Sequence, residues 1–296
     1  MLTLKTKLII NPNSSRGRTK SKIKHIEEYI KTSGYDFSID FTEKPKHTTE
    51  LAKKAADENF EIVVAVGGDG TVHEVINGIY GTNSSLGVIP IGAGNDISTC
   101  LEIPQKDIKK AIEIIKIGKT EKKDLGKING EYFMGVAGTG FDTMVVDFTF
   151  KNRNLLKLFG PFFYIYGVYN VLISFKPIFF KLITKNNTIE KKAMTIAVGN
   201  SWMYGGGMKI VPDAKLDDGL FDVCIVEEIS KLEFLKVFPR VFSGTHVTHP
   251  AVTIFRTDFL RIESNKKMSV QADGEIIKSL PVNFELIPEA INAVVP

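Results

Sequence analysis

The chain has 296 residues, 43% hydrophobic and 24% charged, and 38 Lys+Arg against 34 Asp+Glu leave a formal charge of +4. That length holds two domains with separate cores, and so small and dispersed a charge argues against a nucleic-acid partner while favouring at most loose contact with an anionic membrane. Cys100 and Cys224 stand among apolar residues without metal-ligand spacing, which predicts small core residues in a reducing compartment.

The first residues run straight into Leu8-Ile9-Ile10 with no apolar h-region and cleavage site. No signal peptide is therefore expected, and the cytoplasm is the expected compartment. Leu8-Ile9-Ile10 is a predicted strand, and 19–31 a helix with Ile23, Ile26 and Ile30 on one face. A strand over 37–41 and a helix over 48–59 follow. Residues 62–66, Ile-Val-Val-Ala-Val, have the length and β-branched content of a buried parallel strand. They stop at Gly67-Gly68-Asp69-Gly70, and Thr71 opens a segment with Val72, Val75, Ile76 and Ile79 at helical spacing. A strand over 86–91 and a helix over about 108–117 complete an alternation that predicts a doubly wound, mainly parallel sheet. Ligands of such sheets bind at the carboxyl ends of strands.

Three strand-end loops carry the unusual residues: Asn11-Pro12-Asn13-Ser14-Ser15, the Gly67–Thr71 loop, and Pro90-Ile91-Gly92-Ala93-Gly94-Asn95-Asp96. Glycines in a strand-to-helix turn let the backbone approach a ligand and leave helix-start amides for an anion, so a nucleotide phosphate is the expected ligand. The turn lacks the G-x-G-x-x-G spacing of dinucleotide folds and the G-x-x-x-x-G-K of P-loops. Asp69 among phosphate-binding amides is repulsive unless a cation is shared or chemistry needs it, so it is the candidate for organising Mg²⁺.

After Asp124 the rhythm changes. Lys127–Phe133 has a hairpin signature with Asn129-Gly130 as its turn, and strands are predicted over 133–136, 179–184, 193–198, 220–226, 252–255, 259–262, 268–272 and 282–287. Helices over about 155–175 and 230–242 interrupt them. The expected architecture is an α/β nucleotide-binding domain, 1–127, and a mainly-β, sandwich-like domain, 128–296, with the last residues returning to the first. Residues 158–175 carry no charge and seven aromatics. A spanning helix needs about 20 predominantly apolar residues, and Gly160-Pro161, Asn170, Ser174 and three tyrosines make this segment a buried or membrane-facing helix instead.

The three loops, with Gly138-Thr139-Gly140-Phe141-Asp142, the long run from Tyr204 to Val223, and Gln271-Ala272-Asp273-Gly274-Glu275, match in order and spacing the motifs of another group. The chain resembles the diacylglycerol-kinase-like lipid kinases, in the superfamily that also holds sphingosine kinases and NAD kinases, from residue 8 to about 287. Two positions depart from that pattern: Ala93 stands where Thr is usual, and Thr99 where Arg is common.

The resemblance implies an ATP- and Mg²⁺-dependent enzyme acting on the hydroxyl of diacylglycerol or a related lipid. A nucleotide site is expected at Asn11, Pro12, Asn13, Ser14, Ser15, Thr42, Gly67, Gly68, Gly70, Thr71, Val72, His73, Gly92, Ala93, Asn95 and Asp96. Ser14, Ser15 and Thr71 supply hydroxyl donors to phosphate oxygens, whereas Thr42 enters through the resemblance alone. For the proton acceptor the resemblance points to Glu275, with Asp273 the competitor two residues away. It also implies a structural Mg²⁺ on the carbonyls of Lys215 and Leu220 and the Asp218 carboxylate, which Asp124 joins; a plain Asp-Asp-Gly turn is the alternative. His246 and His249 are expected as solvated loop residues, His73 as a phosphate contact or a packing residue, and Trp202 as a wall of a lipid cleft or of the core. A sphingoid-base or ceramide kinase, an NAD kinase and a non-catalytic nucleotide sensor on membranes stand as alternatives. Peripheral contact with the inner membrane face and a homodimer are further expectations of the resemblance.

Overall fold

The computed structural model describes residues 4–12, 19–152, 155 and 161–296. The chain divides into two compact units: unit 1 comprises residues up to Leu125 with Leu216–Asp218 and Ile287–Pro296, and unit 2 comprises Gly126–Lys215 and Gly219–Leu286.

In unit 1, strands β1 (Thr6–Ile10), β2 (Phe37–Phe41), β3 (Ile62–Gly67) and β4 (Ser85–Pro90) lie in the order β4-β3-β1-β2, all parallel. The end of the last strand, Val282–Val294, adds a parallel neighbour, with Ala293 beside Leu86. Every residue of β1, β3 and β4 is buried, as expected of a parallel sheet covered on both faces. Parallel neighbours need crossovers, which helices supply: α1 (Thr19–Ser33), α2 (His47–Asp57), α3 (Asp69–Ile79), the short α4 (Asp96–Cys100) and α5 (Ile108–Ile117). Ile26 and Ile30 of α1 and Ile112 and Ile115 of α5 join Leu8, Ile10, Val64 and Val66 in one core. Local signals set the ends of α5. The Asp107 carboxylate accepts the Lys110 N–H (3.0 Å), and Gly118 closes the helix in the left-handed region at φ 69°.

Strand β5 (Thr120–Ile128) leads from unit 1 into unit 2, where it turns through Asn129 (φ 48°) and Gly130 (φ 97°) into β6 (Glu131–Phe133). Then come β7 (Val136–Gly140), α6 (Phe141–Lys151), α7 (Pro161–Ser174), β8 (Ile178–Ile183), β9 (Thr188–Gly199), β10 (Phe221–Glu227), α8 (Lys231–Val237), β11 (Val252–Thr257), β12 (Phe259–Ser264), β13 (Ser269–Ala272), β14 (Glu275–Ser279) and β15 (Val282–Val294). The named pairings within unit 2 are antiparallel. Strand β9 pairs β8 through its first half, and β7 and β10 through its second. The core is aromatic. Phe133 stacks on Phe221 at 5.9 Å and meets Phe284 edge-on at 6.5 Å, and each such ring withdrawn from water stabilises the fold by roughly 1.5–3 kcal/mol. The expected fold class, a mainly parallel α/β domain followed by a sandwich-like β domain, is the one observed.

Several elements differ from the sequence reading. Helix α3 begins at Asp69, so Asp69 and Gly70 belong to its first turn and not to a loop. The strand expected over 133–136 is broken, because the Met134 and Gly135 amides go to the Asp273 carboxylate (3.3 and 2.9 Å) instead of a ladder. The motif 138–142, expected as a loop, is the end of β7 and the start of α6. Gly140 makes that corner at φ 110°, where a Cβ would strike the Met194 carbonyl. Of the helix expected over about 155–175, residues 161–174 are helical as α7 and 156–160 lie outside the described residues, while α6 was not expected. The helix over 230–242 is α-helical only to Val237 and 3₁₀ from Phe238 to Phe242, where Pro239 lacks the amide an α-helix needs. Strand β15 runs past the expected end at 287. Pro288 and Glu289 (φ 50°) resemble a strand end, but the Glu289 N–H is held by the Asp124 carboxylate at 2.8 Å and pairing resumes beyond.

Candidate active site

Unit 1 brings the ends of β3 and β4 together through backbone. The Gly67 carbonyl accepts both the Ile91 N–H (2.9 Å) and the Gly92 N–H (3.1 Å), clamping one strand-end loop to the other. At the crossing Gly92 faces Gly68 so closely that a Cβ on Gly92 would collide with the Gly68 backbone and the Asn95 side chain. Gly67 is needed for a different reason, since its Cβ would overlap the buried Thr71 side chain. These glycines let the two loops share one small volume.

The Gly68 carbonyl takes the N–H groups of Thr71 (2.9 Å) and Val72 (3.1 Å). The anion-facing amides at this helix start are therefore those that precede them. One oxygen of Asp69 accepts the Ile97 N–H at 3.0 Å, so this carboxylate ties the start of α3 to that of α4. Asn95 sits in the left-handed region at φ 57° and donates its amide to the Gly92 carbonyl (3.1 Å), while its buried Oδ1 has no hydrogen-bond partner. A buried acceptor left without a donor costs roughly 1–3 kcal/mol, and an incoming donor at this loop would remove that penalty. Thr99 bonds the Asn95 carbonyl (3.0 Å) through its hydroxyl and also receives the Gln105 amide, so the residue that replaces Arg serves a local cap. Ala93 is exposed, and Asp96 is buried at the start of α4.

Asn11 and Pro12 follow β1 half-buried, with the Asn11 N–H on the Val66 carbonyl (3.3 Å), and Thr42 is buried after β2 with its N–H on the Ile10 carbonyl (2.9 Å). His73 is buried in α3. Asn13, Ser14 and Ser15 lie outside the described residues.

Magnesium prefers hard oxygen donors, and the donors of the 215–220 turn, two carbonyls and the Asp218 carboxylate, fit that preference. Its neighbours are engaged elsewhere. The Leu216 carbonyl accepts the Asp124 N–H at 2.6 Å, and Asp217 pairs with Lys123 at 2.9 Å. Burial pushes the Lys123 ammonium down, but the Asp217 and Glu121 carboxylates outweigh it and hold its pKa above the usual lysine value. Asp124, buried, has an oxygen on the Glu289 N–H. Among the described residues no three of His, Cys, Asp and Glu gather as a metal centre.

In unit 2, Asp273 (φ 51°) and Gly274 (φ 86°) make the two-residue turn of the β13–β14 hairpin, with Ala272 opposite Glu275. Both turn residues with positive φ, Asp followed by Gly, match the sequence preference of this tight hairpin. Asp273 accepts the Gly135 N–H (2.9 Å) and the Met134 N–H (3.3 Å), and the buried Gln271 accepts the Gly274 N–H (3.0 Å). Asp273 is thus a brace across 138 residues of chain, whereas Glu275 is exposed on β14. The turn separates two acids that a continuous strand would place on one face.

Sequence reasoning gave no role to Asp142, which the structure sets beside a small apolar cavity of about 50 Å³ with Phe141, Val145, Met208, Phe234 and His246. Burial raises its pKa, opposed by the Thr195 hydroxyl, which donates to it at 2.7 Å. The signal was a single charged residue within an otherwise uncharged segment, 133–146. His246 corrects an expectation: it is fully buried, with Nε2 at 3.1 Å from the Ile210 carbonyl, and burial holds its pKa down. His249 does not share that site; its Nδ1 accepts the Ala251 N–H and its Nε2 lies 3.2 Å from Glu233. Trp202 packs against the unit 2 core with the Lys209 ammonium 5.5 Å over its ring. Cys224 is buried, its thiol pushed up to about 12, while Cys100 is only half-buried.

Comparison with known proteins covers both halves. Residues 5–128 match the diacylglycerol kinase catalytic domain, and residues 135–295 match the YegS C-terminal NAD kinase beta sandwich-like domain. Diacylglycerol kinases from two Staphylococcus aureus strains, bovine RF122 / ET3-1 and MRSA252, are each 33% identical to the chain over 295 residues, covering 99% of it and 92% of their own length. A crystal structure of a diacylglycerol kinase from Bacillus anthracis str. Sterne superposes with a TM-score of 0.76 at 21% identity, covering 100% of this chain and 98% of that one. Another structure from that organism reaches 0.81 at 23% identity with the same coverage. At those identities the structures speak for the fold. With the domain matches and full-length relatives beside them, the chain belongs to the diacylglycerol-kinase-like family of bacterial lipid kinases.

Proposed function

We propose that this kinase transfers the γ-phosphate of ATP to the free hydroxyl of diacylglycerol, giving phosphatidic acid, at the cytoplasmic face of a membrane. The observation that carries the reading is the meeting of Gly68 and Gly92, which stacks two strand-end loops where only backbone fits and sets a helix start and Asp69 beside them. Phosphoryl transfer asks mainly for positioning and for compensation of developing charge. The loops of β1, β3 and β4 hold the triphosphate, with Thr71 and the α3 start on its oxygens and Asn95 at the rim. Mg²⁺, when bound, would neutralise phosphate charge, with Asp69 the group that would organise it, and a separate structural Mg²⁺ would rest on the Lys215 and Leu220 carbonyls and the Asp218 carboxylate.

In the reaction the acceptor oxygen forms the new bond to γ-phosphorus, the bond to the β–γ bridging oxygen breaks, and ADP leaves with that electron pair. The hydroxyl proton passes to a carboxylate. Asp273 already serves two backbone amides, which supports assigning this proton to Glu275. The name borne by the 33% identical relatives supports diacylglycerol as the acceptor.

The test is incubation with γ-labelled ATP and, in parallel, diacylglycerol, a sphingoid base, NAD and a total lipid extract. Labelled phosphatidic acid is the expected product. Label on the sphingoid base or on NAD reassigns the acceptor, and tight ATP binding without transfer to any of them overturns catalysis in favour of a nucleotide sensor.

A further inference from the structure

The part of unit 2 that carries α7 and α8 leaves apolar side chains in water on one side of each helix. Helix α7 has no charged residue. Val168, Val171 and Leu172 face the core, while Ile165, Tyr166, Tyr169 and Ile173 are each more than half exposed. Helix α8 repeats the division: Phe234 and Val237 are buried, and Leu232 and Leu235 are 74% and 43% exposed. The Lys231 ammonium donates to the Ile173 carbonyl, so the end of α7 and the start of α8 are joined. Six large apolar side chains around one joint mark a surface made for contact, since such side chains normally occur singly.

Lysines outnumber acids on and beside these helices: α8 carries Lys231 and Lys236 against Glu233, which lies 3.2 Å from His249. Between Asp147 and Glu190 the sequence contains no Asp or Glu but six cations, of which Lys151, Lys176, Lys181 and Lys185 lie among the described residues. Lys151 and Lys185 have acidic partners in Asp147 and Asp258. Lys231 and Lys236 bracket the exposed leucines of α8. A second copy of the chain, docked through the same face, would set these like charges against each other, and protein interfaces are depleted in lysine. An anionic bilayer meets every feature: aliphatic groups enter the acyl boundary, tyrosines suit the interface, and lysines reach the headgroups. Among the described residues no helix is long and apolar enough to cross a membrane.

From this geometry we infer that the α7–α8 face docks on an anionic lipid bilayer through Ile165, Tyr166, Tyr169, Ile173, Leu232 and Leu235. The inference goes beyond the reaction proposed above and is independent of which lipid accepts the phosphate.

The test is flotation of the full chain, without ATP, with vesicles of phosphatidylcholine alone or mixed with phosphatidylglycerol. Wild type should float with the mixed vesicles and release as salt rises. The double variants Leu232→Ser/Leu235→Ser and Ile165→Ser/Ile173→Ser should each lose at least about tenfold in partition, because each removes two aliphatic groups from the acyl boundary. Unchanged melting temperatures and unchanged turnover of a water-soluble short-chain acceptor would show that fold and chemistry survive. Wild-type partition by either variant, equal flotation with neutral vesicles, or a solution dimer that the α8 variant converts to monomer would overturn the inference. If wild type phosphorylates no diacylglycerol, the proposed reaction fails, and the vesicle result still decides this one.

Discussion

The two units hold their functional groups by different means. In unit 1 the candidate site is built from backbone: Gly67, Gly68 and Gly92 bring loops and helix starts together, and Asp69 is fixed by the amide of a residue only 28 positions away. Unit 2 instead places side chains by long-range pairing, with Asp273 holding amides 138 and 139 positions back. Backbone sites tolerate no added atoms, whereas braced side-chain sites depend on each hydrogen bond that aims them. The contrast is one of steric against polar control.

Substitutions that sharpen this contrast fall in a clear order. The largest effect belongs to Glu275→Gln, which should lower turnover by about 10²–10⁴-fold with an unchanged melting temperature, since the side chain is exposed. Steady-state rates with a fixed lipid acceptor measure it, and full turnover in this variant would remove Glu275 from the chemistry. Next is Gly92→Ala. Its Cβ has only immobile backbone to meet at Gly68, so KM for ATP should rise while stability falls by roughly 1–3 kcal/mol. An unaltered KM would break the claim that the glycine contact shapes the nucleotide site.

Asp273→Ala tests the polar unit. It strips the acceptor from two amides and should cost roughly 1–3 kcal/mol in denaturant unfolding, with Asp273→Asn costing less because one acceptor oxygen remains. If Asp273→Ala unfolds at the wild-type midpoint, the hairpin is not braced as described.

The smallest effects are pH slopes from the cavity of unit 2. His246 has a folded pKa below its ordinary 6.5. Above 6.5 it is neutral in both states and its folded environment is retained in full. As pH falls through that value the unfolded chain takes the proton first, so stability is lost. Asp142 has the opposite sign: its pKa is raised above 3.8 by burial, so stability declines as pH rises through and above that value. Melting temperatures across pH should lose the neutral-to-acid slope in His246→Gln and the carboxylate-range slope in Asp142→Asn. Parallel profiles for wild type and variants would show that these groups do not titrate differently on folding.

Local patterns made much of unit 1 readable. Continuous apolar runs marked its parallel strands, and Gly-Gly-Asp-Gly marked the turn that follows β3, because both are properties of neighbouring residues. Asn129-Gly130 was legible for the same reason, since a tight turn needs positive φ at two adjacent positions. Partnerships formed across the chain were not legible. Whether Met134 and Gly135 extend a strand or serve Asp273, whether His246 meets water or the Ile210 carbonyl, and whether β15 stops at Pro288 or continues past it all depend on groups distant in sequence. Local propensity fixes which backbone conformations are cheap; only the assembled sheets decide which amide, carboxylate or ring is left to satisfy another.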